Sequence, residues 1–127
     1  MNNGSDLAQL MWSVQALAQG AARQRLLYPE FVSVPDELAL EFEEHYSAFL
    51  GCKDGLADQA QIRALERLDR MLESMSGPSN LEYWENTALD SNPAWNEVRI
   101  LAKQVLKAMG WDDTPPPSSR DIFVGPW

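Results

Sequence analysis

The chain has one cysteine and one histidine in 127 residues. A single thiol excludes an intramolecular disulfide and a thiolate zinc cluster. A single imidazole leaves no second histidine for a typical transition-metal set. Basic residues are few as well: 10 Lys and Arg stand against 19 Asp and Glu, a net charge of −9. That balance disfavours direct binding to a nucleic-acid backbone, where Lys and Arg must displace counterions, and it disfavours anionic membrane surfaces. Long apolar runs are missing. The longest uncharged stretch, residues 7–22, is interrupted by Gln9, Ser13, Gln15, Gln19 and Gly20, too polar to span a bilayer. "MNNGSD" carries no basic residue, so no secretory signal is expected and a cytoplasmic location is. A glycine-rich phosphate loop, G-x-S-x-G and H-E-x-x-H are all absent from the sequence.

What is present is helical periodicity. Leu7, Leu10, Val14, Leu17 and Ala21 share one face of a first helix expected over residues 5–25, capped by Ser5. Pro29 and Pro35 bracket "FVSV", which reads as an extended linker. Pro35 suits the first turn of a second helix, ended at Gly51 by a left-handed cap, with Leu38, Phe42, Tyr46 and Phe49 inward. "CKDG" then turns the chain into a third helix over residues 56–75, buried through Leu65, Leu68, Leu72 and Met75, and stopped by Gly77-Pro78.

"SNLE" at 79–82 matches a capping box and predicts a short fourth helix carrying Leu81, Trp84 and Leu89. Asn92-Pro93 opens a fifth, with Trp95, Val98, Leu101, Val105 and Met109 inward. Gly110 ends it, and Trp111 covers Leu106 in a Schellman cap. The expected fold is therefore all-α. It is a compact bundle of about five helices over residues 1–111, with an extended Pro-rich C-terminal tail, residues 112–127, packed on the bundle as part of one domain. Prolines 115 to 117 favour polyproline geometry. "IFVGPW" beyond them is too apolar to stay in solvent, and docking on the chain's own helices is favoured over docking on a partner.

No residue set argues for catalysis. His45 with Glu41 and Glu44 sketches a metal corner, but Phe42 holds the place a Glu-x-x-His pattern requires. A border histidine is the better reading, and no metal or other cofactor is expected. Cys52 beside Lys53 reads as a plain interhelix thiol. Glu82 and Glu85 are one pair among many acids. Arg63, Arg67 and Arg70 form a stripe, with Glu66 and Glu73 at ion-pairing distance along the helix.

The surface signal lies in residues 29–50. They hold Glu30, Asp36, Glu37, Glu41, Glu43 and Glu44 and no Lys or Arg, so this window supplies −6 of the −9. On a helical wheel Leu40 stands opposite Leu38 and Phe42, ringed by Asp36, Glu37, Glu43, Glu44 and Ser47. An apolar residue inside a carboxylate rim fits an interface anchor with steering charge. Asp36, Glu37, Leu40, Glu41, Glu43 and Glu44 are thus the candidate partner-binding residues, with Trp127 from the tail. Trp12, set off the apolar stripe of its helix, is expected to pack beneath another element.

The function these features favour is a small acidic, non-catalytic binding protein. It would neutralise a basic, toxin-like protein partner, as an immunity protein or antitoxin does, possible targets including a nuclease. The alternatives are a small helical enzyme or ligand-binding bundle with a pocket among Trp84, Trp95 and Tyr46, and an oligomeric adaptor or phage-type structural protein.

Overall fold

The computed structural model describes residues 3–29, 31–51 and 58–117. Within them all the regular secondary structure is helical, with no strand. The elements are α1 (Asn3–Ala18), α2 (Ala21–Leu26), α3 (Val34–Gly51), α4 (Gln59–Ser74), a 3-10 helix (Pro78–Trp84), α5 (Ala88–Ser91) and α6 (Pro93–Met109).

Two of the five expected helices are divided. The first breaks at Gly20, whose extended backbone (φ −71°, ψ 165°) caps α2, and α1 begins at Asn3, ahead of Ser5. The break strands carbonyls at the end of α1, where an α-helix leaves its last acceptors unpaired. Side chains meet them. Gln24, fully buried, donates its amide to the carbonyls of Ala16 (3.1 Å) and Leu17 (3.2 Å). Arg99 Nε donates to the Gln19 carbonyl at 2.9 Å. The same guanidinium donates to Gln24 Oε1 and to the Leu89 carbonyl, both at 2.8 Å, and to Asn96 Oδ1 at 2.9 Å. Burial holds the Arg99 pKa below the usual arginine value, with nearby Asp90 opposing and Arg25 adding. One arginine on α6 therefore ties α1, α2 and α5 together.

The fourth expected helix is also two pieces. Gly77, at φ +108°, starts the 3-10 helix, so Ser79 lies inside it and no side chain caps its first turn. The "SNLE" capping box does not form. Leu81 is 68% exposed, and Leu89 is buried on the separate, four-residue α5. Two indole N–H groups fix the 3-10 segment: Trp84 Nε1 donates to the Met75 carbonyl and Trp95 Nε1 to the Tyr83 carbonyl, each at 2.8 Å. The two rings meet edge to face, 5.6 Å apart.

The long helices follow their sequence signals more closely. Leu38, Phe42, Tyr46 and Phe49 of α3 are buried, as are Leu65, Leu68 and Leu72 of α4, with Met75 at its C-cap. Asp58, rather than a residue near Leu56, caps α4 through a reciprocal box with Gln61. Gly51 is the last helical residue of α3 and has no left-handed backbone. Asn92 caps α6, accepting from the Ala94 amide. Gly110 at φ +74° ends it, with the Trp111 amide bonded back to the Leu106 carbonyl. Trp95, Val98 and Val105 are buried, joined by Ala102 and Leu106, while Leu101 and Met109 are half-buried.

α1 packs against α3 and α6, and α6 packs also against α4. α3 and α4 approach each other less closely than these pairs. Three seams of the four-helix arrangement are tight and the fourth is open. Beyond Gly110, residues 112–117 run back beside α1: Gln15 Nε2 donates to the Asp112 carbonyl at 2.9 Å, Lys103 pairs with Asp113 at 2.6 Å, and Trp12 Nε1 donates to the Pro117 carbonyl at 2.8 Å. Pro116 is buried. Ile122, Phe123, Val124 and Trp127 lie outside the described residues, as do Cys52 and Lys53. No described helix is long and apolar enough to cross a membrane.

Candidate functional site: the open seam between α3 and α4

The exposed face of α3 carries the candidate residues, and the structure sorts them into two sets. Leu40 is 56% exposed, opposite buried Leu38 and Phe42 as the wheel requires. On one side, Asp36, Leu40 and Glu43 line a cavity of about 390 Å³ whose far wall is Ser76, Gly77, Leu81 and Trp84. It runs into a second cavity of about 250 Å³, deeper in the seam, which shares Ala39, Glu43, Ser76 and Trp84 and adds Tyr46, Asp69, Leu72 and Glu73. On the other side, Glu41, Glu44 and His45 face Ala8, Gln9 and Trp12 of α1 across a groove of about 350 Å³. Glu37 also belongs to this second side, since it and Glu41 both act on the buried Tyr28 hydroxyl.

The seam is apolar at its base and acidic at its edges. Phe42 and Tyr46 stack at 5.2 Å on its α3 wall, and Trp84 closes the opposite wall. Four carboxylates border it: Asp36 and Glu43 from α3, Asp69 and Glu73 from α4. No Lys or Arg lines either cavity. The electrostatic consequence appears at Asp69, whose pKa lies above the usual aspartate value because of burial, reinforced by Glu73 and Glu43 and only partly relieved by Arg70. Tyr46 is raised too, by burial and then by Asp69 and Glu66. The seam is thus a place where negative charge outweighs the one positive charge acting on it, that of Arg70, which is not part of the lining.

Sequence reasoning found the α3 wall and missed the other. Leu81 and Trp84 were expected inside a helix. Leu81 is exposed on a 3-10 helix that begins at Pro78, ahead of the "SNLE" pattern. Asp69 and Glu73 carried a readable signal, like charges one helical turn apart. The expected ion-pair face of α4 is not built. Arg63 donates to Gln59 Oε1 at 3.3 Å, and among the described residues no carboxylate lies within 4 Å of Arg63, Arg67 or Arg70. An interior pocket among Trp84, Trp95 and Tyr46 is not formed as expected either. Trp84 and Tyr46 line the open seam, while Trp95 is wholly buried behind Trp84.

His45 is half-buried, its Nε2 3.6 Å from Glu41 Oε2. Burial raises the Glu41 pKa above the ordinary carboxylate value, His45 opposes that shift, and Glu44 and Glu37 add to it. Among the described residues no group of three His, Cys, Asp or Glu side chains is placed to hold a metal ion.

Comparison with known proteins decides nothing further. The chain matches no family model, no curated protein and no solved structure.

Proposed function

We propose that this is a small acidic, non-catalytic binding protein that neutralises a basic protein partner in the cytoplasm, as an immunity protein or antitoxin does with its toxin, a basic nuclease being one such target. The observation that carries this reading is the open α3–α4 seam. Two exposed leucines, Leu40 and Leu81, stand at its mouth, and four carboxylates surround it without a single basic side chain in the lining. Burying an exposed leucine contributes roughly 1.5–3 kcal/mol. Like-signed rim charge raises the association rate with an oppositely charged protein and makes that rate fall with salt. Both features serve capture, and neither requires a reacting group. Within this reading Asp36, Leu40 and Glu43 form the contact on α3, and Glu41 and Glu44 belong to a separate groove.

The test is capture with the purified chain, followed by mass spectrometry and rate measurements on the captured protein. The expected partner is one basic protein bound in one-to-one ratio, with an association rate that drops steeply as salt rises. Asp36→Lys, Leu40→Arg and Glu43→Lys together should keep the melting temperature and weaken binding by about 100-fold or more. A small molecule retained instead, self-association only, or full affinity in the triple variant would each refute the proposal.

A further inference from the structure

The deeper cavity of the seam has aromatic walls as well as carboxylates. Phe42 and Tyr46 stack with centroids 5.2 Å apart on the α3 side, and Trp84 stands opposite. Trp84 is held from two sides, by its bond to the Met75 carbonyl at 2.8 Å and by Trp95 edge to face at 5.6 Å. A wall already fixed in this way loses little freedom when something enters. An apolar cavity of about 150 Å³ holds a benzene-sized molecule, so the cavity here, about 250 Å³, has room for one long side chain.

Tyr46 supplies the decisive observation. It is only 6% exposed, it lines the cavity, and among the described residues its hydroxyl makes no hydrogen bond. Buried polar groups are ordinarily paired. This hydroxyl is not sealed off, and the cavity that Tyr46 lines is the space open to it. Burial raises its pKa, and Asp69, across the seam on α4, adds to that. A phenol oxygen with a carboxylate across from it suits a donor that carries positive charge. Glu43 and Glu73 border the same cavity, while Arg70, which also acts on Asp69, is exposed and outside the lining. Among the described residues no three of these carboxylates gather as metal ligands. They are spaced around aromatic walls, which suits an organic cation with an apolar stem. A guanidinium lies flat on an aromatic ring while its fork donates to two acceptors at once, whereas an ammonium is a strongly hydrated point charge.

We infer that this cavity receives the guanidinium of one arginine side chain presented by a basic protein. Its plane lies against Trp84, and its N–H groups donate to the Tyr46 hydroxyl oxygen and to the carboxylates of Asp69 and Glu73. The inference rests on the proposed function, since the arginine belongs to the partner. It adds that these carboxylates hold one inserted side chain, where rim charge alone would only steer the encounter. Leu40 and Leu81 at the mouth then pack on the partner surface around that arginine.

The probe is N-acetyl-L-arginine N-methylamide, with its lysine and citrulline counterparts as controls, followed by NMR at the Trp84 indole N–H and the Tyr46 ring. Saturable shifts at both groups are expected with arginine, binding at least about tenfold weaker with lysine, and none with neutral citrulline. The Asp69 carboxyl should titrate at lower pH once the arginine probe saturates, because the guanidinium favours the carboxylate. Tyr46→Phe keeps the ring stack and removes the acceptor, which should weaken binding by about fivefold. Asp69→Asn with Glu73→Gln should weaken it by about tenfold or more. Absence of shifts at Trp84 and Tyr46 in the unaltered protein would overturn the inference without any variant having to fold. Equal affinity for the lysine probe would overturn it too, by reducing the cavity to general charge attraction. Free L-arginine bound more than about tenfold tighter than the blocked form would assign the cavity to a small molecule and overturn it equally. A captured basic partner whose affinity is unchanged by Asp69→Asn with Glu73→Gln would sink the inference and leave the proposed function standing. Saturable arginine binding with no basic protein captured would support the guanidinium site and count against the proposed function alone.

Discussion

Replacing Gln24 or Arg99 tests whether the break at Gly20 is held by side chains from a distance. In Gln24→Leu the carbonyls of Ala16 and Leu17 lose their donors, and Arg99 Nη2 loses the acceptor now at 2.8 Å. Each lost bond is worth roughly 0.5–1.5 kcal/mol net, and a buried group left unpaired costs about 1–3 kcal/mol. Added apolar contact of the leucine and water reaching the half-buried guanidinium offset part of this. A loss of about 2–3 kcal/mol is therefore expected. Arg99→Met leaves Gln24 Oε1 and the Gln19 and Leu89 carbonyls without their donor, again about 2–3 kcal/mol. Each single change strands a group that the other would have removed. The double variant should then lose less than the sum, with a coupling of about 1–2 kcal/mol. Arg99→Lys should not rescue, because an ammonium lacks the planar fork that reaches three elements at once. Denaturant unfolding with an unchanged slope reads these differences directly. Additivity within about 0.5 kcal/mol, or single losses below that, would refute the reasoning. The break would then be a property of Gly20 alone.

Asp69 offers a test by pH. Its folded-state pKa is raised by burial, Glu73 and Glu43, so its protonated form is favoured by folding. That stabilisation is complete below the unfolded aspartate value, near pH 4, and is lost as pH rises through the raised folded value. Asp69→Asn should therefore raise the unfolding midpoint at neutral pH and give no advantage below about pH 4. An asparagine variant that is less stable at pH 7 would contradict the uncompensated seam. Backbone geometry gives a further prediction. Gly77→Ala and Gly110→Ala should each lower stability by about 1–2 kcal/mol, because φ is +108° and +74° while an added Cβ would meet nothing within 4 Å. Midpoints unmoved by either change would remove the left-handed backbone from the account.

The parts legible in the sequence are those decided within one helical turn. Asn92, Pro93 and Gly110 bound α6 through local hydrogen bonds, and the apolar spacing of Leu38, Phe42, Tyr46 and Phe49 fixes which way α3 faces. The exposure of Leu40 follows from the same wheel. What was not legible depends on distant partners. The stripe from Leu7 to Ala21 continues across Gly20 at helical spacing, and the groups that stabilise a break there lie on α2 and, 80 residues away, on α6. "SNLE" has the letters of a capping box, but Gly77, two residues upstream at φ +108°, is the cap, so the 3-10 helix starts ahead of Ser79. The candidate site was half visible for the same reason. One wall is a periodic helix, and the other is an irregular segment placed by Trp84 and Trp95.

The two indoles that hold that segment bond to main-chain carbonyls, those of Met75 and Tyr83. A main-chain acceptor is indifferent to the side chain that carries it. Ser79, Leu81 and Glu82 face outward between the tethers and contribute nothing to either. Of the three only Leu81 lines the seam, and substitution there would reshape one wall while the bundle beneath stays as it is. The fold thus separates the contacts that hold this segment in place from the side chain it shows to solvent at the mouth of the seam, so the shape of that mouth can vary without cost to the tethers.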